Sequence, residues 1–307
     1  IEYDEIFEEE IENLKNILYL MKKIDISPFW EFISLCISGY LIKKAHFFKN
    51  LKREYFSLGK VNEEDFITLR NLGFGSLFVV QLIYHIDSGE LFALKKPRDM
   101  DKEIHKLIER EKSNYKKIQF SLVPKFYGIV EYDYFESIII EFINGQTLDK
   151  CQFKEYDEKN IIMIIYKLLF IIEYFHRNNF LIRDLKPNNL MISETKNIYM
   201  IDFDRVVSQT IQTHSHNLNN IYAAPEVQKS ELYSDKSDIY SLGKVFEFIL
   251  ENVNPKMKIP SINDIIEQCL QEKADKRPSI KKIILNFLCK PTIMSSISFV
   301  ISNQNDP

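Results

Sequence analysis

Three polar residues with the chemistry of a metal-dependent phosphoryl-transfer site lie in two short loops between apolar segments. Asp184 and Asn189 are five residues apart in IRDLKPNN, and Asp202 follows the apolar segment IYMI. A carboxylate can accept a proton from a hydroxyl group, whereas a second carboxylate and an amide oxygen are ligands that Mg²⁺ prefers. Each residue alone is typical of a polar turn, but their order and spacing together favour a compound catalytic motif.

A second group of residues, earlier in the chain, could bind the phosphates of a nucleotide. Gly73 and Gly75 lie in LGFGSLFVV, where glycine permits close approach of the backbone to phosphate. A hairpin turn explains the same glycines, and the segment lacks the GK[ST] ending of a P-loop. Lys95, in FALK, has apolar neighbours, so we expect its ammonium group to point into a cleft. Glu111 on the next predicted helix could pair with it, and Glu109 is a competing partner.

With these motifs together, the sequence resembles the eukaryotic protein kinases from about Phe66 to Cys289. GFGSLFVV resembles the Gly-rich loop, FALK the strand with the ATP-binding lysine, IRDLKPNN the catalytic loop and IDFD the metal-binding segment. AAPE resembles the end of the activation segment, and SDIYSLG the helix that anchors the catalytic loop through Asp238. DKRP places Arg277 where the family pairs an arginine with the APE glutamate, here Glu226.

The resemblance implies a serine/threonine protein kinase that uses ATP and Mg²⁺ and acts on a protein substrate. The implied catalytic residues are Asp184, Lys186, Lys95 and Glu111, and the implied Mg²⁺ ligands are Asn189 and Asp202. The implied nucleotide-binding residues are Leu72, Gly73, Gly75, Val80, Ala93, Lys95, Ile140, Glu141, Ile143 and Met191. Among these, the carbonyl of Glu141 and the N–H of Ile143 would face adenine, and Lys186 matches the serine/threonine form of the catalytic loop.

Three positions depart from the family pattern. The third glycine of the Gly-rich loop is Phe78, the histidine of HRD is Ile182, and the glycine of DFG is Asp204. Aspartate tolerates left-handed backbone better than most residues, so we expect Asp204 to replace glycine at modest cost. We expect Phe78 to stiffen the loop and to crowd the phosphates.

These departures keep a second function open, a catalytically weak pseudokinase that acts as a nucleotide-binding scaffold or interaction module. A small-molecule kinase of similar fold is a third alternative. The AAPE and SDIYSLG segments favour a protein kinase over that third alternative, because they match the protein-kinase C-lobe.

The elements that must position these residues are β-rich at first and mostly helical afterwards. The predicted strands are Phe66–Leu72, Phe78–His85, Glu90–Lys96, Phe126–Tyr132 and Ser137–Phe142, and the predicted helices include 101–118 and Asn160–His176. The fold class is therefore α+β, a two-lobed protein-kinase-like fold with a small β-rich N-lobe and a larger α-helical C-lobe. We expect a helical N-terminal extension at 1–62, a kinase domain at 63–290 and a C-terminal tail at 291–307. The N-lobe would cover about 63–143 and the C-lobe about 144–290.

The N-terminal extension carries an apolar stripe at helical spacing, formed by Phe7, Ile11, Leu14, Leu18 and Met21. The stripe could be the seam of a coiled coil, but it covers only about three heptads. We therefore expect it to pack against the body of the same chain.

Net charge, apolar segment length and cysteine spacing indicate which other partners and which location to expect. The net charge of -4 and the pI of about 6.0 indicate no global basic surface, so we expect no nucleic-acid partner. The apolar segment Phe32–Ile42 is shorter than the roughly 20 residues that a membrane span needs, so we expect no span. The four cysteines have neither zinc-ligand spacing nor a disulfide pattern, which predicts a reducing, cytoplasmic location. The oligomeric state is not readable from the sequence.

Overall fold

The chain divides into two compact units of different composition. The computed structural model describes residues 61–75, 77–99, 102–132, 135–209, 220–229, 231–257, 259 and 262–288. Within these residues, the first unit comprises 61–116 and Pro124–Asn144, and the second comprises Lys117–Val123 and the part from Gly145 onwards. The stripe of the predicted N-terminal extension and the predicted tail lie outside the described residues, and the domain boundaries stay predictions.

Five strands form an antiparallel sheet in the first unit. They are β1 (Phe66–Phe74), β2 (Phe78–His85), β3 (Leu91–Pro97), β4 (Phe126–Tyr132) and β5 (Phe135–Glu141). Their order across the sheet is β1-β2-β3-β5-β4, so the predicted meander of the first three strands is present. β2 and β4 have their predicted bounds, β1 extends two residues further, and β3 and β5 differ from prediction by one or two residues at each end.

The IDSGE segment forms the turn between β2 and β3. Gly89 has a φ of 69°, in the left-handed region that favours glycine. Its N–H donates to the carbonyl oxygen of His85 at 3.0 Å, and the N–H of His85 donates to the carbonyl oxygen of Glu90 at 2.9 Å. The turn therefore fixes the register of the two strands, which places Lys95 opposite Val80.

The two faces of the sheet carry different clusters, because successive side chains of a strand point to opposite faces. One face carries an aromatic and aliphatic core made of Phe66, Ile83, Phe92, Leu94, Val130, Tyr132 and Ile139. The other face carries Ile67, Leu69, Leu82 and Tyr84, with Leu72 packed against them. Lys95 shares the face of Leu82, since Leu82 pairs with Ala93 two residues away from Lys95 on β3.

The helix α1 (Lys102–Lys117) follows β3 and buries one face. Ile104, Ile108, Glu111 and Tyr115 repeat at spacings of four, three and four, which places them on one side of a helix. All four are buried, and Glu111 has no exposed surface. Helical periodicity thus brings one carboxylate into an otherwise apolar stripe.

The second unit is mainly helical. Its helices are α2 (Glu158–Arg177), α3 (Pro225–Gln228), α4 (Asp235–Asn252), α5 (Ile262–Cys269) and α6 (Ile280–Leu288). The apolar helix predicted at Asn160–His176 is α2, which begins two residues earlier. It does so because Asp157 caps it, accepting a hydrogen bond of 2.7 Å from the N–H of Asn160 on its Oδ1 atom. Ten residues of α2 are buried, so this helix forms the centre of the unit.

Five short strands surround the predicted catalytic loop. They are β6 (Gly145–Thr147), β7 (Phe180–Leu181), β8 (Leu190–Ser193), β9 (Ile198–Met200) and β10 (Val207–Ser208). Three of them form a sheet in the order β6-β8-β9, and the other two, β7 and β10, pair with each other. At Gly145 a Cβ atom would lie 2.1 Å from the carbonyl oxygen of Ile192, so the close approach of β6 to β8 requires glycine. The loop that carries Asp184 is held between β7 and β8.

The observed architecture is the predicted α+β fold, a β-sheet unit followed by a helical unit. Among the described residues, no helix combines the length and apolar character that crossing a bilayer requires. Two cysteines in this part of the chain, Cys151 and Cys269, are free and buried. Burial raises the pKa of the Cys151 thiol to about 11 and that of Cys269 to about 12, so both stay protonated and unreactive at neutral pH.

Candidate active site

Lys95 and Glu111 form a buried ion pair in the first unit. The Nζ atom of Lys95 donates to Oε1 of Glu111 at 2.7 Å, and the exposed fractions of the two side chains are 7% and 0%. The competing partner, Glu109, instead accepts from Lys112 at 2.9 Å. The predicted pairing of Lys95 with Glu111 is therefore present, and the ammonium group is held inside the unit rather than at its surface.

The Gly-rich segment is a hairpin turn between β1 and β2. The N–H of Gly75 donates to the carbonyl oxygen of Phe78 at 2.8 Å, which closes the turn. The guanidinium of Arg98 donates to the carbonyl oxygen of Gly75 at 3.3 Å. Phe78 begins β2 and is 7% exposed, so its ring is buried rather than projecting into solvent.

Several residues predicted to bind the nucleotide share one face of the sheet. Val80 lies opposite Lys95, and Ala93 lies opposite Ile140, so the four side chains point the same way. The N–H of Glu141, at the end of β5, donates to the carbonyl oxygen of Lys125 at 2.8 Å. The roles of these residues, of Gly73 and of Ile143 towards a nucleotide stay predictions.

Asp184 is the centre of a polar cluster in the second unit. Its Oδ2 atom accepts from Nζ of Lys186 at 2.7 Å and from Nδ2 of Asn189 at 3.1 Å. Nδ2 of Asn189 also donates to the carbonyl oxygen of Asp184 at 2.8 Å. Lys186 and Asn189, which the sequence placed in one loop with Asp184, therefore each contact Asp184 directly.

A buried carboxylate on α4 fixes the backbone of this loop. Asp238 accepts from the N–H of Ile182 and from the N–H of Arg183, each at 3.0 Å. Arg183 has a φ of 68°, a conformation that costs a non-glycine residue about 1 kcal/mol or more. The two hydrogen bonds offset that cost, and the predicted anchoring of the catalytic loop by Asp238 is present.

Two further groups contact Asp238 that the sequence did not single out. The hydroxyl of Tyr233 donates to Oδ1 of Asp238 at 2.6 Å, and Nε2 of His176 lies 2.9 Å from Oδ2. Burial, followed by the charge of Asp238, raises the pKa of Tyr233 well above its usual value, so this hydroxyl remains a donor. The sequence did contain a signal for His176, its position in the last turn of α2, because a helix C-terminus favours a basic side chain.

Asp202 lies on a loop that is hydrogen-bonded to the predicted catalytic loop. The N–H of Ile201 donates to the carbonyl oxygen of Asn189 at 3.1 Å, so the backbones that carry the two predicted metal ligands are linked. Oδ1 of Asp202 accepts from the N–H of Asp204 at 3.3 Å. Met191, on β8, pairs with Tyr199 on β9 just before this loop.

Phe203 and Asp204 follow Asp202 in the IDFD segment. Phe203 is fully buried and stacks on Phe175 with ring centroids 5.9 Å apart. The described non-glycine residues with positive φ are Asn179, Arg183 and Lys196. Asp204 is not among them, so its backbone lies outside the left-handed region, and its replacement of glycine carries no cost of that kind.

Asn220 is a neighbour of Asp184 that sequence reasoning missed. Its Nδ2 atom lies 3.4 Å from Oδ1 of Asp184, and its Oδ1 atom accepts from the N–H of Tyr222 at 3.0 Å. Asn220 lies in a polar segment without periodicity, so only its position three residues before the AAPE segment could have indicated it.

Glu226 and Arg277 form the predicted ion pair in bidentate geometry. The Nη1 and Nη2 atoms of Arg277 donate to the two carboxylate oxygens of Glu226 at 2.7 and 2.8 Å. The hydroxyl of Ser237, on α4, donates to Oε1 of Glu226 at 2.8 Å. Burial opposes ionisation of Glu226, but the hydrogen bonds from Arg277 and Ser237 prevail and lower its pKa. This pair connects α3 to the segment before α6.

One other cluster could be mistaken for a metal site. His105, Glu109 and Glu136 bring ligand atoms within 4.8 Å of one another. Lys112 donates to Glu109 at 2.9 Å and to Glu136 at 2.7 Å, so both carboxylates already have a protein cation as partner. This cluster is a salt-bridge network between α1 and β5.

Comparison with known proteins agrees with this geometry. The family model of the protein kinase domain matches residues 66–260, which is more than half of the chain. The chain therefore belongs to the protein kinase family, of the eukaryotic type. The match spans Lys95, Asp184 and Asp202, and it ends before Arg277.

Several curated kinases are similar to the chain at low identity. It is 27% identical over 246 residues to the carbon catabolite-derepressing protein kinase of Candida glabrata, covering 70% of this chain and 40% of that protein. It is 27% identical over 252 residues to the serine/threonine-protein kinase PrkC of Bacillus subtilis, covering 76% and 38%. Mitogen-activated protein kinase kinase 2 of Arabidopsis thaliana is 27% identical over 261 residues, with 72% and 71% covered. The chain thus spans less than half the length of the first two relatives.

Proposed function

We propose that this chain is an active protein kinase that transfers the γ-phosphoryl group of Mg-ATP to serine or threonine hydroxyls of a protein. The observation that carries the proposal is the cluster around Asp184, whose carboxylate contacts Lys186 and Asn189 on a loop anchored by Asp238. The match to the protein kinase domain and the relatives named as serine/threonine kinases support it.

Asp184 and Lys186 are proposed to act at the acceptor and at the transferred group. The Asp184 carboxylate accepts the proton of the acceptor hydroxyl and orients its oxygen for attack. The Lys186 ammonium stabilises negative charge on the transferred group. Its present bond of 2.7 Å to Asp184 keeps both side chains in place before a substrate arrives.

Asn189 and Asp202 have the donor atoms that Mg²⁺ requires. Both hydrogen bonds from Asn189 to Asp184 use Nδ2, so neither of them occupies the amide oxygen. This oxygen and the Asp202 carboxylate are hard ligands, and the residues present fit the ion. Bound Mg²⁺ would neutralise negative charge on the phosphate oxygens.

The first unit is proposed to bind the nucleotide. Lys95, oriented by Glu111, would contact the α- and β-phosphates. The apolar face formed by Val80, Ala93 and Ile140 would contact the adenine ring. Burial of the Lys95–Glu111 pair supports this role, because a positive charge held rigidly in a dry site binds phosphate strongly.

The test is phosphoryl transfer by the whole chain. γ-Labelled Mg-ATP is incubated with three peptide libraries in which serine, threonine or tyrosine is the only acceptor, and Asp184→Asn protein provides the background. We expect label in the serine and threonine libraries, with Asp184→Asn about a hundredfold slower or worse. Transfer to the tyrosine library alone contradicts the proposal of serine/threonine specificity.

A pseudokinase is the second candidate function, and the residue at the third glycine position favours it. Phe78 is a bulky residue beside Lys95, where the family pattern has glycine. Calorimetric binding of Mg-ATP without transfer above the Asp184→Asn background would establish this second function. Recovery of transfer in Phe78→Gly would then identify the ring as the obstacle.

A further inference from the structure

The register of the sheet brings Phe78 beside the catalytic lysine. Phe78 pairs with Pro97, and Val80 pairs with Lys95, so all four side chains lie on one face. Phe78 and Lys95 are diagonal neighbours on this face, within reach of a long or aromatic side chain. A glycine at position 78 would leave that side of Lys95 without a ring.

The ring and the ammonium group are in contact. The Nζ atom of Lys95 lies 4.7 Å from the centroid of the Phe78 ring, within the range of a cation–π interaction. The same nitrogen donates to Glu111 at 2.7 Å. Phe78 and Lys95 are each 7% exposed, and Glu111 is fully buried. Cation–π attraction is stronger in such a desolvated place than at a surface.

We propose that Phe78 is a positioning residue that holds the Lys95 ammonium against Glu111 before a nucleotide binds. The buried ammonium loses water when the unit folds, and the negative face of the ring replaces part of that solvation. The aromatic ring thus orients Lys95 from the side where the family pattern has a flexible glycine. This inference rests on the proposed nucleotide-binding role of Lys95, and it is opposite to the crowding that the sequence suggested.

The first test measures the chemical reactivity of Lys95 without nucleotide. A small acylating reagent is applied to the whole chain, and mass spectrometry compares modification of Lys95 with that of Lys96 on the same strand. In Phe78→Leu the ammonium loses the ring and becomes more accessible. We expect the Lys95 to Lys96 ratio to rise roughly five- to thirtyfold. Phe78→Tyr keeps an aromatic face and should retain the wild-type ratio.

A matched control separates the ring from general loss of packing. Phe92 is 1% exposed and lies on the opposite face of the sheet, so Phe92→Leu removes a ring of the same size away from Lys95. We expect its ratio to remain at the wild-type value. A Phe78→Leu ratio equal to that of wild type or of Phe92→Leu overturns the proposal, as does a raised ratio in Phe78→Tyr.

A measurement on the wild-type chain covers the case in which Phe78→Leu does not fold. With ¹³C-labelled lysine, a ring face beside Lys95 shifts its ε-methylene proton resonance upfield of lysines that face no ring, and Lys95→Arg distinguishes the signal from those of Lys96, Lys125 and Lys196, which also lie near rings. An unshifted resonance overturns the proposal. Neither test needs phosphoryl transfer, so failure of the proposed activity leaves both readouts intact.

Binding of Mg-ATP then distinguishes positioning from crowding. If Phe78 positions Lys95, Phe78→Gly and Phe78→Leu raise the Kd of Mg-ATP severalfold. A lower Kd in Phe78→Gly means that the ring obstructs the phosphates, and this result overturns the proposal.

Discussion

Asp184 and Asp202 both follow short strands, but their neighbours give them different proposed tasks. The Asp184 carboxylate accepts hydrogen bonds from Lys186 and from the amide group of Asn189. These bonds orient it for its proposed action on the acceptor hydroxyl. Asp202 is linked through Ile201 to the backbone of Asn189, the other predicted metal ligand.

Substitution should separate these tasks. Asp184→Asn should lower turnover by at least about a hundredfold, on the order of 3 kcal/mol, and leave the Kd of Mg-ATP unchanged. Asp202→Ala should weaken Mg-dependent ATP binding as well as turnover. Calorimetric titration with ATP, with and without Mg²⁺, measures both effects. Glu194→Gln removes an exposed carboxylate in the turn between β8 and β9 and should change neither, and wild-type Mg-ATP affinity in Asp202→Ala contradicts the metal role.

At this scale the sequence predicted the residues that lie in motifs or in periodic elements. The pairing of Glu111 follows from its place in the apolar stripe of α1, and the pairing of Arg277 with Glu226 follows from the family pattern. Contacts made across the fold by residues in aperiodic stretches could not be predicted, because no local spacing marks them. Asn220 and Tyr233 are of this kind.

Helix α3 is only four residues long, and its position depends on the bidentate pair between Glu226 and Arg277. The side chain of Arg277 is fully buried, and besides this pair it donates three hydrogen bonds, to the carbonyl oxygens of Gln271, Lys236 and Glu272. A short helix has little stability of its own, so its place is set by this contact.

Removing the Glu226 carboxylate should therefore destabilise the protein. Glu226→Gln should lose about 3 kcal/mol of unfolding free energy at pH 7, because the buried guanidinium of Arg277 loses its charge partner. Urea unfolding measures the loss. Glu247→Gln breaks the partly exposed ion pair with Lys244 and should change stability by less than about 0.5 kcal/mol.

The same pair should give a pH dependence of known sign. The pKa of Glu226 is lowered in the folded protein, so its stabilisation is complete above the ordinary glutamate value of 4.5 and is lost as the pH falls through the lowered pKa. The stability difference between wild type and Glu226→Gln should accordingly shrink on acidification. A difference that is constant from pH 7 into the acid range contradicts this assignment.

The segment between Asp202 and Glu226 is proposed to respond to phosphorylation. Arg183 and Arg205 could bind a phosphate group on it, and Arg205 is about half exposed. The candidate acceptors in this segment are Ser208, Thr210, Thr213 and Ser215, of which only Ser208 lies within the described residues. Phosphatase treatment should lower the turnover of the purified protein, and Arg205→Ala should remove the response. Unchanged turnover after complete dephosphorylation indicates a segment that is ordered without phosphate.

Long elements were more predictable than short ones. The strands of the first unit and helix α2 carry period-2 or dense apolar patterns over seven residues or more, and the structure places them within two residues of prediction. The strands β6, β7, β9 and β10 have two or three residues each, too few for any periodic signal. They form because the chain around the catalytic loop pairs with itself across the fold.

For the molecule as a whole, the stripe at Phe7, Ile11 and Met21 predicts that the N-terminal extension packs on the rest of the chain. A chain that begins at Asn62 should then unfold at a lower temperature than the full chain, because apolar surface that the stripe covers becomes exposed. Differential scanning calorimetry of the two chains measures the shift. As a control, substitution of exposed Glu194 should leave the midpoint unchanged, and equal midpoints for the two chains contradict the packing.

The position of Asp238 in the sequence also determines when the catalytic loop can be anchored, because the chain is synthesised from its N-terminus. Lys95 and Glu111 are 16 residues apart, so both members of that pair emerge from the ribosome almost together. The anchor of the catalytic loop comes 56 residues after Ile182, and at about 5–20 residues per second the loop waits about 3 to 11 seconds for it. During translation, the lysine that is proposed to bind phosphate therefore acquires its partner first, and Asp184 takes its final position only after α4 has been synthesised.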